Sequence, residues 1–420
     1  MNVRDSELVS GILMQSGCDL VDSAKSADVI LLNTCAVRQN AEQRIIGRVN
    51  QLSALKNKSS KTIGVLGCVP QHRGQDLLDL VPAIDFILGP DSYRKLPEII
   101  DSTFDSRYAL CKLDKTELYE GLPHHRSGKS PSAFVTVMRG CNRMCTFCVV
   151  PHTRGRERSR KVEDVTAEVN RLIGEGVKEV ILIGQTVNAY KNGTTCFDQL
   201  LWQVAETGIP RIRFTSPHPS FFREEELEAI ADCPAVCEWV HLPVQSGNSD
   251  VLTRMRRGYT REEYINIAHR IRDRIPRVAL TTDIIVGFSG ESEEEFVDTL
   301  SLMAECEFDS SYHFKYSPRS GTYADKEYDD DVDDEEKQRR LERVMELQSE
   351  LTTRSNGMFE GRTSEILVTE RGDRGPDQWV GRTRENKIVI VESKKDLLGV
   401  MVNVNITGTG TWSMRGELKQ

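Results

Sequence analysis

No stretch of this sequence approaches the roughly 18 consecutive apolar residues of a membrane-spanning helix. Its 38% hydrophobic content is interleaved with 28% charged residues, which excludes a helical membrane protein and predicts no membrane partner. A secretory leader is also missing: Met1 to Cys18 mixes Arg4, Asp5 and Glu7 into its apolar positions, so neither a charged n-region nor an apolar h-region is present. The expectation is a cytoplasmic protein. Positive charge is in deficit, with 55 Lys and Arg against 64 Asp and Glu and a net charge of -9. Nothing pulls the whole chain toward nucleic acid, so any RNA binding must rest on local basic patches. Internal repeats and long low-complexity segments are absent as well. Cysteine, by contrast, is plentiful. Eleven thiols in a reducing compartment point away from a disulfide framework and toward metal binding or catalysis.

A length of 420 residues predicts roughly two to four domains. Short β-branched runs at Asp28 to Asn33, Thr62 to Gly67 and Asp85 to Gly89, with helix-like stretches between them, predict a parallel α/β layer over residues 1–118. From Thr116 to Ser132, Gly121, Pro123, two histidines, Gly128 and Pro131 break every period, and residues 119–131 read as a linker. Six further strand-like runs follow, at Ala133 to Met138, Glu179 to Ile183, Arg211 to Thr215, Glu238 to Leu242, Leu280 to Val286 and Tyr312 to Tyr316. Most precede a helix-length segment, so residues 132–356 predict an α/β part-barrel of six parallel strands, closed by a trailing helix over Lys337 to Arg354. The acidic run Asp329 to Glu336 reads as the solvated start of that helix. Over residues 357–420 the pattern turns to short alternating strands, which predict a small all-β barrel.

In such a part-barrel, chemistry belongs on the loops after the strands. The first of these loops carries Cys141-Asn-Arg-Met-Cys145-Thr-Phe-Cys148. Three thiolates within eight residues can fill three corners of one metal site. Thiolates suit iron-sulfur clusters and zinc alike. For iron, the remaining corner is open to a substrate or cofactor; zinc would need a fourth ligand, for which His152 stands just downstream.

A Cys-x3-Cys-x2-Cys loop on the first strand of a six-stranded part-barrel resembles the radical S-adenosylmethionine enzymes. Their three cysteines bind a 4Fe-4S cluster whose open iron takes the methionine amine and carboxylate. Asn33-Thr-Cys35-Ala-Val-Arg38, Gly67-Cys68-Val-Pro-Gln71, the run from Cys148 to Arg160, Leu182-Ile-Gly-Gln-Thr-Val-Asn-Ala-Tyr190, His241-Leu-Pro-Val-Gln-Ser-Gly247, Asp283-Ile-Ile-Val-Gly-Phe288 and Tyr316-Ser-Pro-Arg319 extend the likeness. Together they are similar to the methylthiotransferases, and within them to the tRNA-modifying MiaB-type branch that makes 2-methylthio-N6-isopentenyladenosine. The likeness covers nearly the whole chain.

That resemblance implies two 4Fe-4S clusters, S-adenosylmethionine as cofactor and co-substrate, and a C-terminal TRAM barrel that grips RNA. Cys141, Cys145 and Cys148 would hold the first cluster, and Cys35 and Cys68 would share in an auxiliary one. Each of these last two ends a predicted strand, which places both at one rim of the sheet. The family's first auxiliary cysteine sits in a Gly-Cys-Gln-Met-Asn stretch, and this sequence begins at what resembles the Met-Asn, so the expectation is that translation starts upstream. Cys18, read as buried at a helix-to-strand junction, is the substitute within the chain; Cys111, Cys196, Cys233, Cys237 and Cys306 read as structural.

By the same resemblance, reductive cleavage of S-adenosylmethionine yields a 5'-deoxyadenosyl radical that takes hydrogen from C2 of a tRNA adenine. The auxiliary cluster supplies sulfur and a second S-adenosylmethionine supplies the methyl group. Strand-end positions are the candidate contacts to S-adenosylmethionine: Phe147 through its backbone, Gly184, Gln185, Asn188, Ser216, Gln245 and Gly287, though for a glycine the turn alone is reason enough. Arg139, Arg143, Arg154, Arg156, Arg158, Arg160 and Lys161 stand against one acid, Glu157, and the run Arg154 to Arg160 is the candidate phosphate-binding segment. In the terminal barrel the candidates are Arg362, Arg382, Arg384 and Lys387, with Trp379 stacking on a base. The implied partners are a tRNA carrying N6-isopentenyladenosine, its target base flipped out, and an electron donor such as flavodoxin or ferredoxin, with the enzyme a monomer. Sister methylthiotransferases acting on threonylcarbamoyl-adenosine or on a ribosomal-protein aspartate are the near alternatives. A zinc-bearing RNA-binding protein without catalysis is the distant one.

Overall fold

The computed structural model describes residues 1–36, 41–56, 61–102, 107–126, 128 and 130–419; Arg38, which ends the Asn33 motif, and Ser127 and Lys129 of the linker lie outside the described residues. The chain forms two compact units. The first comprises Met1–Lys129 with Met138–Met144 and Cys148–Arg160, and the second comprises Ser130–Val137, Cys145–Phe147 and Lys161–Gln420.

In the first unit β1 (Val29–Thr34), β2 (Thr62–Gly67), β3 (Phe86–Leu88) and β4 (Tyr108–Leu110) form a parallel sheet in that order. The three runs read from sequence are there, and the fourth strand, only three residues long and exposed at Tyr108, left no readable period. One apolar cluster joins Ile30, Ile63, Val65 and Ile87 to Ile45, Val49 and Leu52 of the helix Ala41–Lys56. A second joins Leu66, Phe86 and Leu88 to Leu8, Val9, Ile12 and Leu13 of the helix Asn2–Gln15. The i, i+4 and i+1 spacing of those leucines and isoleucines turns one helix face to the sheet. Tyr119, placed at the start of the linker by its broken pattern, is buried in this second cluster and donates to the Pro90 carbonyl at 2.7 Å. Cys18 follows the first helix and is exposed, which corrects the expectation of burial: the helix ends at Gln15 and the turn at Ser16 and Gly17 leads the chain out to solvent.

The second unit opens with β5 (Ser132–Thr136). The chain then visits the first unit in a two-stranded ribbon, β6 (Met138–Arg139) with β7 (Arg158–Ser159). It returns through β8 (Glu179–Ile183), a short ribbon of β9 (Lys191–Asn192) and β10 (Thr195–Cys196), then β11 (Arg211–Phe214), β12 (Trp239–His241), β13 (Ala279–Val286) and β14 (Ser310–Lys315). Parallel pairing runs β5-β8-β11 and β12-β13-β14, and a parallel bridge between Ile212 and Val236 connects the two halves into one six-stranded part-barrel. Its helices begin where the sequence supplies caps: Thr260 with Glu263 starts Arg261–Arg274, and Ser292 with Glu295 starts Glu293–Cys306.

One face of this sheet is fully covered: Val240, Leu242, Leu280, Thr282, Ile284 and Val286 are buried, and Tyr264 of the helix Arg261–Arg274 donates to the Leu242 carbonyl at 2.7 Å. The other, concave face stays partly open. In register along it lie His241 with Thr281 and Ser310, Asp283 with Tyr312, and Ile285 with Phe314. Tyr312 and Phe314 remain 62% and 42% exposed.

After the helix Asp334–Gly357, five strands close a barrel in the order β15 (Thr363–Arg371), β16 (Gln378–Thr383), β17 (Ile388–Glu392), β19 (Met414–Leu418), β18 (Met401–Thr409). Closure leaves no free sheet edge. Bulges at Val368/Glu370 and Ile406/Gly408 turn the corners. Two arginines of β11 fix this barrel to the part-barrel. Arg211 donates to the Arg382 carbonyl at 2.8 Å and pairs with Glu365 at 2.8 Å, while Arg213 donates to the carbonyls of Thr383 at 2.7 Å and Arg384 at 2.6 Å.

Candidate cluster and cofactor site

The loop after β5 and β6 places Cys141 and Cys148 in the first unit and Cys145 in the second. Each thiol accepts an N–H group. Cys141 accepts from the Arg143 amide at 3.3 Å, Cys148 from the Val150 amide at 3.5 Å, and Cys145 from the Arg257 guanidinium at 3.3 Å. A sulfur that accepts an N–H hydrogen bond is a recurring feature around iron-sulfur clusters. Among the described residues no three His, Cys, Asp or Glu side chains already stand as one coordination group. As a sequence motif, three thiols within eight residues have the chemistry that an iron-sulfur cluster with one open iron requires. His152, the alternative fourth ligand for zinc, is exposed in the short helix Val150–Arg154.

Of the strand-end positions read as S-adenosylmethionine contacts, two hold backbone conformations that L residues rarely adopt. Ser216, after β11, has φ 62° and Gln245, after β12, has φ 76°. Strain at two corresponding strand ends costs of order 1–3 kcal/mol each and is characteristic of functional rims. Phe147 is half-buried, its ring edge-on to Phe288 at 6.4 Å. Gly184 is buried directly after β8 and Gln185 is half-buried beside it. Two candidates are otherwise occupied. Both ends of the Asn188 amide bond the backbone of His218, at 2.8 Å and 3.1 Å, so this side chain clamps two loops together instead of facing a ligand. At Gly287, φ is 69° and an added Cβ would meet Lys337 at 2.3 Å, so turn and packing account for the glycine. Beneath Asn188, burial pushes the Glu226 carboxyl up to about 8 despite the opposing pulls of Asn188 and Arg223.

In the first unit, β1 and β2 pair with Thr34 opposite Gly67, so the residues that follow, Cys35 and Cys68, are neighbours at the sheet rim. Gly67 is obligatory here: φ is 100° and a Cβ would lie 2.4 Å from the Thr34 carbonyl. The Thr34 hydroxyl donates to the Leu66 carbonyl at 2.7 Å and accepts the Val69 amide at 3.2 Å, fixing the turn that carries Cys68. Arg154 Nε donates to Cys68 Sγ at 3.1 Å and another of its nitrogens pairs with Asp5 at 2.6 Å.

That contact corrects the reading of the arginine run. Arg154 is 4% exposed. Arg158 is buried against Asp91 at 2.9 Å, and Arg139 reaches Asp5 at 3.4 Å and Asp91 at 3.8 Å. Arg160 is buried too. A buried charge is stable only when paired, and Arg139, Arg154 and Arg158 spend their charge inside the unit. Arg156 alone of the four candidates is exposed. The terminal barrel behaves similarly. Arg384 forks onto Glu238 at 2.7 Å and 3.0 Å, Lys387 pairs with Asp309 at 2.9 Å, Arg382 lies near its neighbour Asn386 at 3.3 Å, and Arg362 is exposed. Trp379 is 2% exposed in the barrel core, its indole N–H on the Ser393 carbonyl at 3.0 Å, so it is closed to a base. Sequence reading missed Trp412, on the turn between β18 and β19 and 84% exposed, because one aromatic in a Gly-Thr-Trp-Ser turn carries no periodic signal.

Comparison with known proteins matches residues 1–89 to the uncharacterized protein family UPF0004, residues 135–303 to the radical SAM superfamily and residues 358–419 to the TRAM domain. The chain is 43% identical over 427 residues to a tRNA-2-methylthio-N(6)-dimethylallyladenosine synthase of Bacteroides fragilis, spanning 99% of this chain and 93% of the relative. It is 44% identical over 422 residues to the synthase of Prosthecochloris aestuarii, spanning 99% and 96%. Among solved structures, the radical S-adenosylmethionine methyltransferase TsrM of Kitasatospora setae, with cobalamin and a 4Fe-4S cluster bound, superposes at a TM-score of 0.58 over 74% of this chain and 71% of its own. At 15% identity that likeness speaks to the fold alone. With three domain matches in order and relatives above 40% identity from end to end, the chain belongs to the tRNA-2-methylthio-N(6)-dimethylallyladenosine synthase family.

Proposed function

We propose that this protein adds a methylthio group to C2 of N6-(dimethylallyl)adenosine beside the anticodon of tRNA, consuming two molecules of S-adenosylmethionine. The observation that carries the reading is the three-thiol loop at the head of a six-stranded part-barrel, in a chain similar over its whole length to synthases of that name. Cys141, Cys145 and Cys148 would hold a 4Fe-4S cluster. When bound, that cluster supplies the electron that splits S-adenosylmethionine and so makes an inert adenine C–H reactive. The protein's share is placement and exclusion of water. Ser216 and Gln245 present backbone at the rim, Gln185 and Gly184 complete it after β8, and the Phe147 ring packs edge-on against Phe288. Cys35 and Cys68, side by side at the rim of the other sheet, would share in the auxiliary cluster that supplies sulfur.

The open concave face favours the dimethylallyl substrate over its sisters. Phe134, Ile181, Ile285, Tyr312 and Phe314 give it an apolar and aromatic lining, and Asp283, 3.5 Å from His241, is its half-exposed acid. Its arginines, Arg211 and Arg213, are committed to Glu365, to Glu179 at 2.8 Å and to main-chain carbonyls. A neutral five-carbon group suits such a surface; the carboxylate of threonylcarbamoyl-adenosine would meet Asp283, while the two arginines of β11 are already committed.

Arg156, Arg362 and Trp412 are among the exposed groups available to RNA. No helix among the described residues is long and apolar enough to cross a membrane, and action as a monomer in the cytoplasm, fed by a flavodoxin or ferredoxin, completes the proposal. Nucleoside mass spectrometry of tRNA from a strain lacking the gene tests it. Loss of 2-methylthio-N6-dimethylallyladenosine, with its unthiolated precursor accumulating, is the expected result; unchanged levels would overturn it.

A further inference from the structure

We propose that Arg257 is a positioning residue for the cluster of the radical domain, setting both the place of Cys145 and the reduction potential there. The inference rests on the reading of Cys145 as a cluster ligand. Three contacts carry it. One terminal nitrogen of the guanidinium donates to Cys145 Sγ at 3.3 Å, the other to the Pro243 carbonyl at 3.0 Å, and Nε to the Tyr259 hydroxyl at 3.0 Å. Tyr259 in turn donates to the Val244 carbonyl at 2.8 Å. Pro243 and Val244 immediately precede Gln245, one of the two strained rim residues. A single planar fork therefore fixes the cysteine to the loop expected to contact S-adenosylmethionine, a geometry lysine cannot reproduce.

The backbone is shaped for this contact. Arg256 and Gly258 flank Arg257 with φ 55° and 74°, turning it inward from the end of the helix Ser249–Arg254. The same segment grips the next residue of the cysteine loop. The Thr146 amide donates to the Met255 carbonyl at 3.1 Å, and its hydroxyl to the Arg254 carbonyl at 2.9 Å.

Charge makes the contact more than a brace. Arg257 is buried, and among the described residues it has no carboxylate partner; its other partners are a carbonyl and a phenol. Its positive charge is thus directed at Cys145. Hydrogen bonds and cationic charge at cluster sulfur favour the reduced, more negative state and raise the potential. A donor of given strength then reduces a larger fraction of the enzyme.

The test is a redox titration of the anaerobically reconstituted full chain, followed by electron paramagnetic resonance of the reduced cluster, with iron and sulfide counted beforehand. Arg257→Met should keep its iron and sulfide but, at the wild-type midpoint, fall from half reduced to about one part in ten, a shift of about 59 mV for one electron. Arg257→Lys should recover part of the shift, and Tyr259→Phe, which keeps the ring and loses the brace, should move the potential less but in the same direction. Unchanged midpoints in Arg257→Met and Tyr259→Phe would overturn the inference. If Arg257→Met loses its iron, Tyr259→Phe alone decides between the same two outcomes. Wild-type protein that takes up no iron and sulfide would instead overturn the ligand assignment of Cys145.

Discussion

Cys68 and Cys145 meet the same kind of partner in two differently built surroundings. Each accepts an N–H from a buried arginine, at 3.1 Å and 3.3 Å. Arg154, beside Cys68, also pairs with Asp5 at 2.6 Å, so its charge is largely spent within the first unit. Arg257, beside Cys145, is surrounded by neutral acceptors. Removing one partner of a buried ion pair strands the other, whereas removing a charge held by neutral groups leaves only hydrogen bonds unmade. Similar local contacts thus serve fold stability at Cys68 and, on the proposed assignment of Cys145 to the cluster, the electrostatics of a ligand there.

The sharpest way to break the comparison is at the cysteines themselves. Cys145→Ala should reduce 5'-deoxyadenosine formation to background, while Cys68→Ala should still cleave S-adenosylmethionine but thiolate no tRNA; chromatographic assay of both products separates them. Next in size, Arg154→Ala should destabilise the fold by about 3 kcal/mol by leaving the buried Asp5 only its longer pairing with Arg139 at 3.4 Å, seen as a lower urea midpoint. Burial pushes the Asp5 carboxyl up, but Arg154 and Arg139 outweigh it and hold the group below its ordinary value, so its loss of support is felt at neutral pH.

A smaller effect contrasts that acid with Glu226. The folded chain keeps Glu226 protonated up to about 8, where the unfolded chain has already released the proton above about 4.5. Stability on this account falls as pH rises from 4.5 to 8, by about 2 kcal/mol or more, and Glu226→Gln should flatten that slope in urea titrations at pH 5 and pH 8. Smallest of all are the surface groups. Trp412→Ala and Arg156→Ala should each weaken tRNA binding by about 1 kcal/mol with the urea midpoint unmoved, and Arg156→Ala should also reduce the salt slope of binding. Filter binding at two salt concentrations reads both.

The same contrast explains what the sequence made legible. Cys141, Cys145 and Cys148 lie within eight residues, so spacing alone announces them. Cys35 and Cys68 become neighbours only through the pairing of β1 with β2, which β-branched runs ending at both residues suggested in advance. The strands of the part-barrel were readable because their buried faces demand continuous Val, Ile and Leu. Burial of a charge has no such signature. Arg154 and Arg158 looked like teeth of a phosphate-binding comb because sequence records their sign but not Asp5 and Asp91, which lie far away in the chain. Arg257 went unnoticed for the same reason, as its partner Cys145 is 112 residues distant.

The ties from β11 to the terminal barrel have one further mechanical meaning. Three of the acceptors of Arg211 and Arg213, on Arg382, Thr383 and Arg384, are main-chain carbonyls, which every residue type supplies. That part of the attachment does not depend on which side chains those barrel positions carry, whereas the ties through Glu365, Arg384 and Lys387 depend on theirs. Held in this way, the barrel is anchored to β11 partly by its own main chain, so a substitution at Arg382 or Thr383 leaves those acceptors in place.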